Sequence, residues 1–439
     1  MSTNSPTLEK TLGLRGVVLF GLAYMTPIIV LGIFGVIAVA SDGASAGAYS
    51  LALGAMLFTA LSYGLMAKQY PVAGSAYTYV RRALDARAGF VVGWTVLLDY
   101  LFLPLVIWLI GGAYLNGQFP DVPMWMWIVG FVVITTALNI IGLQVADKAN
   151  FALMTFQVLV LIFFVVLALV YLINGSASLF SVTPFVGGSG LSGAAAGAAI
   201  AAYSFLGFDA VSTLTEDTKD PEKTIPRAIF LVALIGGLVF VVVSYVVSLV
   251  APGAVFDNAD SLAADLAVTI GGAFFGAIFL AGLIIGQFTS GLAAQASAAR
   301  LMYAMGRDGV LPKGFSVGSL SVSARRCSTS CSAVLSDSAR SSSTSPRPRP
   351  SSTLVPSLHL PWSTLQWWLS FKHRDSSLSK VRYLIFPIIG AVVDLYLLTQ
   401  LDGRALTVGA IWLLLGLTYL LVITRGFSRP TPDMNSAAM

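Results

Sequence analysis

Two carboxylates stand where an apolar chain should hold none. Asp209 lies within residues 200–227, IAAYSFLGFDAVSTLTEDTKDPEKTIPR, where an apolar run stops at Gly207, takes up the charge at Asp209 and passes into a charged, proline-punctuated loop. Asp99 sits in LLDYLFLP, well inside another apolar run. An ion in hydrocarbon is costly, so an ionisable group at such depth faces a cavity or a partner. For Asp99, a solute or proton role competes with a buried structural hydrogen bond. For Asp209, direct solute contact competes with capping a half-helix that begins after Gly207, where a carboxylate satisfies free amides. Glu216 and Asp217 follow where that helix ends, and there pairing with loop arginines as an inner gate competes with plain solvation. None of these groups is arranged for covalent work. No nucleophile stands with a base, no nucleotide-binding loop is present, and no cluster has metal-ligand spacing. The pattern therefore suits reversible binding of a small polar solute, not an enzyme or an ATP-driven pump, and it implies no cofactor.

The elements that must position these residues are membrane helices. The 439 residues are 56% hydrophobic and 10% charged, with a mean hydropathy of +0.84, against the quarter-charged composition of soluble domains. Apolar runs of about 20 residues, the length that crosses a bilayer, fall at 16–40, 47–67, 89–115, 123–143, 151–173, 194–215, 228–251, 270–297, 382–400 and 405–424. That is an all-α polytopic protein in one bundle, with spans 1 to 8 inside residues 16–315 and the last two inside 382–424. The first run begins after a polar stretch holding Lys10 and Arg15 and is too long for a signal core, so no cleavable signal is expected. Loops 41–46, 116–122, 174–193 and 252–269 hold no Lys or Arg, whereas Lys68, Arg81, Arg82, Arg87, Lys148, Lys219, Lys223, Arg227, Arg300, Arg307 and Lys313 fall in the alternate ones. This positive-inside pattern places both termini, 1–15 and 425–439, in the cytoplasm of a plasma-membrane protein. The formal charge of +5 is thereby spent at the bilayer face, and no nucleic-acid partner is implied.

The first span, LRGVVLFGLAYMTPIIVLGIFGVIAVA, has Pro27 after Thr26 and glycines at 21, 32 and 35. Proline removes a backbone donor and obstructs the preceding turn, which predicts unwinding near residues 25–32, although an ordinary kink with glycines for close packing fits that span alone. The sixth span weighs toward unwinding. Breaks in the first and sixth spans occupy corresponding places in two five-helix halves, as in inverted-repeat transporters whose solute site lies between discontinuous helices. The unwound residues Tyr24, Met25, Thr26, Pro27 and Ile28, and Ser204 through Asp209, would then bind the solute through backbone atoms. Asp99 and Tyr100 would lie alongside, with Phe205 and Phe208 as candidate gates. The connector QYPVAGSAYTYVRRALDARAGFVVGW reads as a solvated amphipathic segment.

Residues 316–371 break the pattern. They are crowded with Ser, Arg and Pro and hold the only cysteines, Cys327 and Cys331, a C-x3-C pair with no His support for a metal. Read literally, this is a disordered cytoplasmic linker. Read one base out of frame it is something else. Ser codons mostly begin with T, and a T moved to the middle of a codon encodes Phe, Leu, Ile, Met or Val. The other frame thus permits apolar segments through 324–340 and 349–365, which would restore two spans missing from a count of twelve.

With these motifs in view, the chain resembles the amino acid, polyamine and organocation transporter superfamily, most closely its bacterial putrescine importers. The resemblance rests on GLAYMTP, QYPVAGSAYTYV, GWTVLLDYLFLP, SFLGFDAVSTLTEDT with IPRAIF, and RLMYAMGRDGVLP, from about Leu14 to Pro312, and resumes near Tyr383. It implies two inverted five-helix repeats plus two helices, and secondary transport of an amino acid or polyamine driven by a proton or sodium gradient. Putrescine importers of this kind look to carry an acidic residue where this chain has Gly32. A non-transporting or inactive membrane protein is the alternative, because the ninth and tenth spans are absent from the chain as written. The nucleotide sequence across codons 314–372 separates a linker from a frameshift. A one-base shift near codon 316, restored near codon 371, should read through two apolar segments, and stop codons or polar residues in that frame would make the linker real.

Overall fold

The computed structural model describes residues 12–72, 75–83, 85–141, 143–176, 178–253, 256, 259, 262–307, 310–311, 386–400, 403–426 and 428. Along them run α1 (Leu14–Met25), α2 (Ile29–Gly32), α3 (Phe34–Ala40), α4 (Ser45–Gln69), α5 (Ser75–Ala83), α6 (Ala86–Gln118) and α7 (Met124–Ile141). They are followed by α8 (Leu143–Asn174), α9 (Thr183–Val186), α10 (Gly190–Ala201), α11 (Pro221–Val250), α12 (Leu262–Arg307), α13 (Phe386–Thr399) and α14 (Gly403–Ile423). Eight stretches are helical and apolar over a membrane-crossing length, and Met124–Ile140 and Ile388–Thr399 are shorter apolar helices. The ten apolar runs of the sequence are thus all helical among the described residues, which contain no β-strand. The anomalous stretch, 316–371, lies outside them.

The helices are sorted by lipid contact. On α8, Leu161, Phe164, Ala168 and Leu172 are buried at helical spacing, while Phe151, Ile162, Phe163 and Ile173 are exposed. An apolar outer face is the inverse of a water-soluble helix and is what hydrocarbon demands. Inside, small residues let helices approach. A Cβ added at Gly236 would meet Met25 Cε at 2.6 Å, and one at Gly237 would meet Phe205 Cε1 at 2.8 Å, so α11 lies hard against both the first and the sixth spans. The last span is fastened by a reciprocal pair: Trp94 Nε1 donates to Trp412 O (2.9 Å), Trp412 Nε1 donates to Trp94 O (2.8 Å), and the rings stack at 4.9 Å. Asp394 on α13 is buried and accepts a 2.7 Å hydrogen bond from Thr59 Oγ1 on α4.

Three details differ from the sequence reading. The connector helix α5 is not simply solvated: Tyr77, Tyr79 and Val80 are buried, and Gly89 and Gly93 of α6 leave room for Arg81 and Tyr77. The eighth span begins earlier, because Leu262–Gly271 is helical up to a kink at Gly272, where φ is 74°. The negative group at the end of the sixth span finds its partner on a helix, not on a loop: Asp217 Oδ2 lies 3.1 Å from Arg300 Nη2 of α12. Backbone bonds from Leu12 N to Asp217 O (3.0 Å) and from Lys219 N to Leu12 O (2.9 Å) lace the chain before α1 onto the same point.

Candidate solute site

The first span stops at Met25 because Thr26 turns left-handed, with φ 50° and ψ 82°, ahead of a proline that offers no amide hydrogen. The chain resumes as a helix at Ile29, with Ile29 N donating to Thr26 O at 2.8 Å. Groups freed by the break are met by α12. Ser290 Oγ donates to Tyr24 O at 2.6 Å, and Thr26 Oγ1 lies 3.1 Å from Ala23 O and 3.2 Å from Gly286 O.

The sixth span fails differently. After Ala201 it tightens to a 3-10 turn through Phe205, extends at Leu206 (φ −58°, ψ 131°), reverses at Gly207 (φ 115°) and resumes as 3-10 helix from Ala210 to Asp217. Gly207 is required twice over. Its φ is forbidding to a side chain, and a Cβ there would lie 2.3 Å from Tyr24 Cδ1. The two breaks therefore face one another in contact.

Asp209 is 2% exposed and stands at the N-terminal end of the second 3-10 segment, yet its side chain caps nothing. Its backbone oxygen accepts from Ser212 N and Oγ at 2.9 and 2.6 Å, and its carboxylate Oδ2 accepts from Tyr100 OH at 2.9 Å. The capping reading fails, because the carboxylate reaches across to the third span. The Tyr100 ring in turn lies 6.4 Å from that of Tyr24.

Between the breaks is a cavity of about 20 Å³, room for about one water. The first span contributes Tyr24, Met25, Thr26 and Ile29, the third Leu103 and Ile107, the sixth Tyr203, Ser204 and Leu206, and the eighth Gln287 and Ser290. No lining residue is charged. Of the residues expected from the sequence, Tyr24, Met25, Thr26 and Ser204 line this space. Pro27 and Ile28 form the turn behind it, with Ile28 against Gly286. Asp99 precedes Leu103 and Ile107 at four-residue steps on α6, so it shares their face one turn further on and is 2% exposed. Tyr100, Gly207 and Asp209 connect to the cavity through Tyr24. Phe205 packs edge-on to Phe240 at 5.3 Å and Phe208 edge-on to Tyr63 at 5.8 Å, so both are buried away from the cavity wall.

Sequence reasoning missed Gln287 and Ser290, although GQFTSG at 286–291 is a polar interruption within an apolar run. It also missed Tyr49, whose OH is 3.1 Å from Ser204 Oγ, and Gln157, which is fully buried with its Oε1 2.9 Å from where a Cβ on Gly286 would lie.

Two helices broken at mid-span and pressed together over a small uncharged cavity define a membrane transporter built on discontinuous helices. Comparison with known proteins agrees, and the chain belongs to the amino acid permease family, whose sequence pattern matches residues 16–322. It is 35% identical to the low-affinity putrescine importer PlaP of Escherichia coli K12 over 461 aligned residues, covering 100% of this chain and 98% of that protein. It is 28% identical to the branched-chain amino acid permease BcaP of Bacillus subtilis over 337 residues, covering 71% and 70%. Among solved structures, MhsT in complex with L-phenylalanine superposes with a TM-score of 0.58 at 17% identity, covering 88% of this chain and 98% of that one, which shows the shared inverted-repeat fold.

Because Gly207 is fixed by both its φ and the Tyr24 ring, Gly207→Ala should weaken solute binding by roughly tenfold or more, since strain at such a position costs about 1–3 kcal/mol. Gly54→Ala, where a Cβ meets nothing within 4 Å, should leave binding unchanged. Equal binding by the two variants would show that the contact between the breaks does not matter.

Proposed function

We propose that this protein is a secondary active transporter that imports an amino acid or a polyamine across the plasma membrane by alternating access, driven by a proton or sodium gradient. The observation that carries this reading is the contact between the two breaks around the uncharged cavity. Freed backbone groups, fixed dipoles and a few hydroxyls surround a space from which lipid is excluded, which is the equipment needed to strip water from a small polar solute. At about 20 Å³ the cavity is smaller than any amino acid or diamine, so solute entry requires the first and sixth spans to part. The Asp217–Arg300 pair and the strand-like lacing at Leu12 lie at the end of the sixth span, where the positive loops put the cytoplasm, and close the inner side. Both termini lie on that same side.

In this reading Tyr24, Met25, Thr26 and Ser204 contact the solute. Asp209, held by Tyr100, and Asp99, one turn below the cavity on the third span, supply the negative charge that an ammonium or a coupling cation meets on its way through. We read 316–371, which lies outside the described residues, as the ninth and tenth spans out of frame. The family match ends at residue 322, close to where the composition turns.

Uptake of labelled amino acids and putrescine into vesicles tests the proposal. With wild-type protein and an imposed ion gradient, one class should accumulate. Asp99→Asn keeps volume and hydrogen bonding but removes charge, and a charged hydrogen bond is worth about 1.5–3 kcal/mol. Uptake should therefore fall roughly ten- to hundredfold while membrane abundance stays close to wild type. Normal uptake by Asp99→Asn would make Asp99 structural, and no uptake of either class by wild type would end the transporter reading.

A further inference from the structure

A side-chain amide on the cavity wall is buried without a hydrogen bond. Gln287 of α12 is 1% exposed and lines the cavity, and neither its Nε2 nor its Oε1 has a hydrogen-bond partner among the described residues. Burying an amide in this condition is unfavourable, and a group kept so is poised for something that is not protein. Three neighbouring hydroxyls are already committed. Ser290 Oγ is used on Tyr24 O, Thr26 Oγ1 on Ala23 O and Gly286 O, and Ser204 Oγ is shared with Tyr49 OH. A single water, all that the cavity admits, cannot fill two donor sites and two acceptor sites of a carboxamide.

The rest of the wall narrows the ligand. Met25, Ile29, Leu103, Ile107 and Leu206 are apolar, and no lining side chain carries charge. A diamine has two cationic ends and would leave one of them against this uncharged wall. A zwitterion brings its own counter-charge, needs one group able to donate to its carboxylate, and can lay an aliphatic side chain on the apolar residues. A carboxamide donates through Nε2 and accepts through Oε1, and so serves both ends of a zwitterion's head group.

We infer that Gln287 sets the substrate class: its amide donates to the carboxylate of a zwitterionic amine with an apolar side chain, and its neutrality disfavours diamines. This rests on the reading of the cavity as the solute site. Gln287 recognises charge by hydrogen bonding alone, so replacing it with a carboxylate should reverse the preference.

The test is equilibrium binding to the full 439-residue chain in lipid nanodiscs, with L-alanine, L-leucine and L-methionine as one probe set and putrescine as the other, and thermal unfolding as the check on folding. Wild type should bind at least one of the amino acids at least tenfold more tightly than putrescine. Gln287→Leu should lose tenfold or more of that binding without gaining putrescine, and Gln287→Glu should lose it and gain putrescine. Tighter binding of putrescine than of all three amino acids by wild type overturns the inference without recourse to any variant. Amino-acid binding that persists in a folded Gln287→Leu overturns it for this residue alone. Binding of neither class by wild type overturns the parent reading of the cavity and this inference with it.

Discussion

Hydrocarbon cannot hydrogen-bond a peptide group, so a helix that stops inside a membrane must find partners for every group it frees. This constraint shapes the centre of the molecule. The first span stops at Met25, where Ser290 of α12 donates to Tyr24 O, and the Thr26 hydroxyl lies within reach of Ala23 O in its own span and of Gly286 O on α12. The sixth span minimises the damage by tightening to 3-10 geometry on both sides of Gly207, so that Leu206 N reaches Tyr203 O at 3.1 Å and Ser212 N reaches Asp209 O at 2.9 Å. Both solutions need the eighth and third spans close by.

The polar fastening is a handful of hydrogen bonds set within continuous apolar packing of the same spans. Two hydroxyls join the eighth span to the first, one tyrosine joins the third to the sixth, and the bare Gly207 lets the sixth span meet Tyr24. Each such hydrogen bond contributes about 1 kcal/mol net. The outer frame is different in kind: the Trp94–Trp412 pair couples two hydrogen bonds to a stacked contact, and α11 is wedged between broken helices on Gly236 and Gly237.

The helices and the two breaks were legible because they depend on strong local signals. A run of about 20 apolar residues has few alternatives, and Pro27 and Gly207 are residues that regular helices avoid. What depends on contacts across the bundle was harder to read. Asp209 stood where a capping residue stands, and only the third span shows that its carboxylate belongs to Tyr100. Phe205 and Phe208 flank the break in sequence but turn into Phe240 and Tyr63, because the 3-10 turns rotate them away from the cavity. Gln287 and Ser290 were overlooked since polar residues in a membrane helix serve helix–helix hydrogen bonding and packing as often as function. The burial of Tyr77 and Tyr79 was invisible because their partners lie beyond the connector itself.

The central claim is that the space between the two breaks receives the solute. With Cys327 and Cys331 replaced by Ser, single cysteines introduced as Ser204→Cys and Ser290→Cys can be titrated with a small water-soluble thiol reagent, with Ser178→Cys, in an exposed loop, as the reference. The account predicts that a transported amine slows labelling at 204 and 290 in a concentration-dependent way and leaves 178 unaffected. Labelling at 204 and 290 that is indifferent to an amine the same protein is shown to bind would place the solute elsewhere and contradict the account.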